Sequence, residues 1–161
     1  MYDKDFHDNS ALMRGHVLSK VIVLETMMGA FLSKHFCKTK KLQTQILETI
    51  FATTKITFDS KRDAINAIMI KDYKKFLEEN KHFNSDLQEI SKQRNIFAHY
   101  PLNTLEKGKE LFKKNKIVTF IKFKNSTDFE AYDIDSVNRF LKKVSDVTLA
   151  IINLLDTMKN E

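Results

Sequence analysis

Val17, Val21, Leu24, Met28 and Phe31 stand four, three, four and three residues apart. That spacing tracks the 3.6-residue turn of an α-helix and lines one apolar face along residues 11–36. Leu18, Ile22, Leu32 and Phe36 widen the stripe. A helix this long and this one-sided needs other elements to cover its face. The chain has one Pro and three Gly in 161 residues, too few breakers for a sheet-rich sandwich, so the covering elements are expected to be further helices.

Those helices can be read along the chain. Asn9 or Ser10 is placed to cap the first. Residues 43–54 form a shorter amphipathic piece after the basic break "CKTKKL". Asp59 or Ser60 offers an N-cap for a helix that turns Ala64, Ile65 and Ile68 inward. Residues 73–83 continue helically and break between Asn80 and Asn84. Ser85 then caps a helix striped with Leu87, Ile90, Phe97 and Ala98, which Pro101 ends by pushing Tyr100 towards extended geometry. From residue 109 the pattern becomes β-branched, aromatic and alternating, which predicts a hairpin over about 109–132 with its turn at Asn125-Ser126-Thr127. Asp135 or Ser136 caps a last helix whose Val137, Phe140, Leu141, Val144, Val147, Ile151 and Leu154 face inward. The expected fold is mainly α, a single domain over residues 1–161: an up-and-down helical bundle with a short β-hairpin insertion before its last helix.

Several chemistries are disfavoured. Cys37 is the lone cysteine, so no internal disulfide and no cysteine pair for zinc exists, which fits a reducing, cytoplasmic setting. His7, His16, His35 and His82 are scattered without His-x-x-x-His spacing, so no metal and no cofactor is expected. There is no glycine-rich phosphate loop. The polar N-terminus does not read as a signal peptide, and no uninterrupted apolar run approaches the roughly 18 residues of a membrane span. The net charge of +6 tolerates a polyanionic partner. Seven lysines against two glutamates between Thr104 and Lys124 read first as a solvated hairpin and second as a surface that tracks RNA. The interleaved Phe112, Phe120 and Phe123 read as core rather than as base-stacking platforms.

The chain uses 23 lysines and only four arginines, Arg14, Arg62, Arg94 and Arg139, so an arginine on an apolar stripe needs a reason. Arg94 stands seven residues after Leu87 and three before Phe97, on the expected inner side. Its planar fork suits bidentate contact with carboxylate or phosphate. His99 falls at the helix C-terminus, where the dipole favours its charged form. Asn95 lies four residues before His99 and shares its face. Glu25 interrupts the apolar stripe of the first helix, and a buried carboxylate needs a partner, for which Arg94 is the candidate.

The stretch "RNIFAHY", with Arg94, Asn95 and His99 in place, resembles the HEPN superfamily, whose ribonuclease members carry Arg, four to six residues, then His, often with a polar residue after the Arg. In some toxin members a Tyr stands two residues after the His; here Tyr100 comes one residue after it and Pro101 takes that place. The resemblance implies metal-independent endoribonuclease activity in a defence or toxin-type setting. In it His99 is general acid or base, Arg94 stabilises phosphorane charge, Asn95 orients either group, and Glu25 and Tyr100 support the site. It also implies a homodimer that joins two motifs in one cleft, an RNA substrate, and an antitoxin or regulatory protein as a further partner. The alternative reading is a HEPN-like module that binds nucleic acid or nucleotide, or only dimerises, without cutting.

Overall fold

The structure is a computed structural model that describes residues 4–53, 55–122 and 128–158. In it the chain is a mainly α helical bundle with a short antiparallel strand pair before its last helix. The helices are α1 (Lys4–Phe36), α2 (Lys40–Ile46), α3 (Phe58–Asp72), α4 (Lys74–Glu79), α5 (Phe83–His99), α6 (Glu106–Asn115) and α7 (Ile134–Thr157). The strands are β1 (Val118–Ile121) and β2 (Phe129–Tyr132), in register Val118 to Tyr132 and Ile121 to Phe129. The residues gather into two compact units, one of Met1–Lys20 with Lys92–Lys142, the other of Val21–Ser91 with Lys143–Glu161.

The second unit packs the inner stripes of α1, α3, α5 and α7. Val21, Leu24, Met28 and Phe31 meet a core that includes Ile65, Met69, Leu87, Ile90, Val144 and Ile151, all essentially buried. Polar contacts join these helices in a ring. Lys61 of α3 donates to Glu25 of α1 at 2.7 Å. Ser91 of α5 donates to Asp59 of α3. Lys143 of α7 lies 3.0 Å from Asp86 of α5. Lys34 of α1 donates to the carbonyl of Leu155 at 2.9 Å, which closes the ring. Ile22 and Phe36, expected in the stripe of α1, are instead exposed at 61 % and 64 %. By length and composition α1 could cross a membrane, with a window of mean hydropathy 1.3. Core helices pass the same test: Val17, Val21, Leu24, Met28 and Phe31 are at most 1 % exposed, while 39 % of the apolar window as a whole is buried.

The first unit is built around aromatic rings. Phe97 of α5 contacts Phe120 of β1 edge-on at 5.3 Å, Tyr132 of β2 at 4.7 Å and Phe140 of α7 at 6.3 Å between ring centroids. Phe6 of α1 packs against Phe112 of α6 at 5.1 Å. The hairpin is shorter than expected: residues 109–115 are helical, in α6, and pairing begins only at Val118. Leu111 and Phe112 turn inward from a helix whose remaining face is largely lysine, and Lys116, at φ 55°, closes it in the left-handed conformation. The expected turn at Asn125-Ser126-Thr127, and Phe123, lie outside the described residues.

Gly108 fixes where α6 sits. A Cβ at this position would lie 2.2 Å from the carbonyl oxygen of Asn103 and 3.1 Å from Thr119 Oγ1. Backbone cannot yield as a flexible side chain does, so Gly108→Ala is expected to destabilise by about 1–3 kcal/mol through overpacking. Urea unfolding checks this; an unchanged midpoint would contradict it.

Caps explain the remaining shifts of boundary. Thr57, not Asp59 or Ser60, accepts the Ser60 N–H at the start of α3. Asp133, not Asp135 or Ser136, accepts the Ser136 N–H at 2.7 Å ahead of α7. That bond holds its carboxyl below the usual carboxylate range. Asn9 and Ser10 lie inside α1, where Ser10 donates back to Phe6 O at 2.6 Å. Ser85 lies inside α5, two residues past its start.

Candidate functional site

The end of α5 is where chemistry concentrates. Its last turn closes with the Tyr100 N–H on Ile96 O at 3.0 Å. Pro101 cannot continue the helix, and the chain straightens. The carbonyl of Pro101 accepts from Ile121 N at 2.9 Å, Leu102 forms an isolated bridge with Phe120, and Asn103 N donates to Thr119 O at 2.8 Å. The segment after His99 is thus held like a third short strand against β1. Phe97 anchors the same turn from inside. The histidine therefore sits on a terminus fixed on two sides, although it is itself exposed.

Arg94 Nη1 lies 3.3 Å from His99 Nε2 and donates to Asn95 Oδ1 at 3.1 Å. Arg94, Asn95 and His99 are thus brought together at one helix end. A guanidinium has donors and no acceptor, so the contact with His99 is a hydrogen bond only when Nε2 carries no proton. With Nε2 in that form, His99 accepts from the guanidinium beside it. Arg94 is half-buried rather than fully on the buried stripe, and among the described residues it has no carboxylate partner. Tyr100 is half-buried, and its carbonyl accepts from Arg14.

Glu25 takes a different place from the one expected. Its carboxylate pairs with Lys61, which is 3 % exposed, at 2.7 Å. The cation that satisfies it is thus a lysine of α3, where Arg94 had been the candidate. The reason is local: Lys61 is turned inward one helical turn into α3 and has no other partner for its charge among the described residues. Glu25→Gln keeps an acceptor but removes the charge, so it is expected to cost about 1–3 kcal/mol of stability. A lowered melt of this variant is the expected pattern; an unchanged melting temperature would contradict it.

Three residues of this region were not singled out by the sequence. Tyr132 donates to Gln93, the neighbour of Arg94, and so ties β2 to the motif helix; burial pushes its hydroxyl pKa up. Arg14 Nη2 donates to the carbonyl of Tyr100 at 2.8 Å, and its guanidinium lies 4.9 Å from the centre of the Phe120 ring. The only signal in the sequence was that Arg14 is an arginine where lysine is the rule. The lysines of residues 107–116 lie on α6 and just past its end, mostly exposed, while Phe112 and Phe120 are buried in the core at 3 % and 0 % exposure. Among the described residues no group of three or more His, Cys, Asp or Glu gathers as metal ligands. Compared with protein-family models, with curated proteins and with solved structures, the chain matches none.

Proposed function

We propose that this chain is a metal-independent endoribonuclease of HEPN type. The observation that carries the reading is the Arg94–His99 contact at 3.3 Å on an exposed helix end, with Asn95 on the same guanidinium. A base with a fixed cation beside it suits attack by a ribose 2′-hydroxyl on the adjacent phosphodiester. His99 Nε2 takes the 2′-hydroxyl proton as the new 2′-oxygen–phosphorus bond forms. Arg94 gives N–H donors to the charge that develops on the phosphorane. The bond from phosphorus to the 5′-oxygen then breaks, and that oxygen takes a proton. The products are a 2′,3′-cyclic phosphate and a 5′-hydroxyl.

The second proton transfer needs an acid, and one motif holds one histidine. A two-fold dimer with the motifs facing supplies the second, and a two-fold contact brings identical patches together. Leu12, Leu105 and Ile134 of the motif-bearing unit are exposed at 62–72 % and are available to such a contact. Defence or toxin-type action, and control by an antitoxin or regulatory protein, belong to the same reading.

The test is incubation of the chain with total RNA in EDTA, beside a gel-shift measurement on the same RNA. Cleavage that survives EDTA is expected. Salt-sensitive binding without cleavage would move the reading to a non-cutting module, and neither binding nor cleavage would leave a structural bundle.

A further inference from the structure

We propose that Arg14 and the small pocket beside it form a phosphate subsite, which holds a backbone phosphate of the RNA next to the one attacked at His99. The proposal rests on the ribonuclease reading above for its source of phosphate. Its starting point is charge. Of the four arginines, Arg62 is held by Asp59 and Asp63, both at 2.7 Å, and Arg139 is exposed. Arg14 and Arg94 are half-buried, and neither has a carboxylate partner among the described residues. Burial of a cation without a counter-charge is costly, and burial lowers the pKa of Arg14, which stays charged regardless. Both uncompensated guanidinia belong to the same helix end: Arg94 touches His99, and Arg14 touches the carbonyl of the next residue. Two such cations point to an anion that bridges the region.

The pocket has the matching chemistry. It measures about 240 Å³ and is lined by His7, Ser10, Ala11, Arg14 and Leu102. His7 and Arg14 stand seven residues apart, two turns along one face of α1. No carboxylate lines the cavity. One of the five N–H donors of Arg14 is committed to Tyr100 O, and stacking on Phe120 holds the fork in place. A planar fork fixed at one corner presents its remaining donors in a set direction, which suits phosphate recognition. Lysine, the usual cation of this chain, could neither stack nor fork in this way.

The test uses the cleavage-silent His99→Ala chain and a short mixed-sequence oligoribonucleotide, with affinity followed by fluorescence anisotropy across a salt series. Adding Arg14→Gln is expected to weaken binding about tenfold, as loss of one charge-assisted contact does. The slope of log affinity against log salt should fall by about 0.7, one phosphate on single-stranded RNA. Arg14→Lys, which keeps the charge, should keep the slope while losing affinity, and circular dichroism melts verify that each variant is folded. A merely structural role would leave the slope unchanged, and that result overturns the proposal while leaving the ribonuclease reading intact. If the His99→Ala chain binds no RNA, the ribonuclease reading fails. Titration with inorganic phosphate then decides the subsite: the Arg14 Nε–H resonance moves if the site is real, and its failure to move overturns it. Movement with phosphate but an unchanged oligonucleotide slope would assign the pocket to a free phosphate and overturn RNA as the source.

Discussion

His99→Ala is expected to lower RNA cleavage by about 10²–10⁴-fold, the usual loss of a positioned general acid or base, while the chain stays folded. The side chain is exposed at a helix terminus and makes its hydrogen-bond contact with Arg94, so its removal opens no cavity. Circular dichroism and a melt close to the parent should accompany the loss. Arg94→Ala should lose activity too, with a stability penalty limited by its half-buried state. Asn95→Ala should be milder, because it removes an orienting acceptor and leaves both reacting groups. A folded His99→Ala chain that cuts RNA at the parent rate would remove His99 from the mechanism.

Phe97→Ala is expected to destabilise by about 3–5 kcal/mol, the range for deletion of a buried aromatic ring. Phe97 is 0 % exposed and is the ring that Phe120, Tyr132 and Phe140 all meet. Those three come from both strands and the start of α7, so the cavity would sit where all of them converge. A domain of ordinary stability has about 5–15 kcal/mol in total, so this single change is a large fraction of it. Because Phe97 lies between Arg94 and His99 in the chain, cleavage should fall in proportion to the unfolded fraction. Phe97→Leu, which refills part of the volume, should recover much of both. A Phe97→Ala chain with an unchanged urea midpoint would show that the aromatic cluster is not what holds the motif helix.

The contrast between these residues shows what a sequence discloses. Phe97 and Leu87 were legible because helical periodicity is a local signal, and the end of α5 was legible because Pro101 restricts its own neighbour. Helix α6 was not, since ten residues, four of them lysines, hold only a short apolar face, and its position depends on Gly108 meeting the Asn103 carbonyl. The caps slipped by two or three residues because Thr57, Asp59 and Ser60, or Asp133, Asp135 and Ser136, offer the same chemistry close together. At the site, the contact of Arg94 with His99 spans five residues and could be read from spacing. Arg14 reaches Tyr100 across 86 residues and Lys61 reaches Glu25 across 36, and nothing local encodes either. The position of Glu25 on the stripe correctly implied a partner, but lysine is so common here that Lys61, the one buried copy among the described residues, carried no mark.

The most direct measurement of the central claim is the chemistry of the ends left on cut RNA. The chain, incubated with RNA in EDTA, should leave a 2′,3′-cyclic phosphate on the upstream fragment and a 5′-hydroxyl on the downstream one, because the attacking group is the neighbouring ribose hydroxyl. Fragments that carry a 5′-phosphate and a 3′-hydroxyl, or cleavage that vanishes with EDTA, would contradict it.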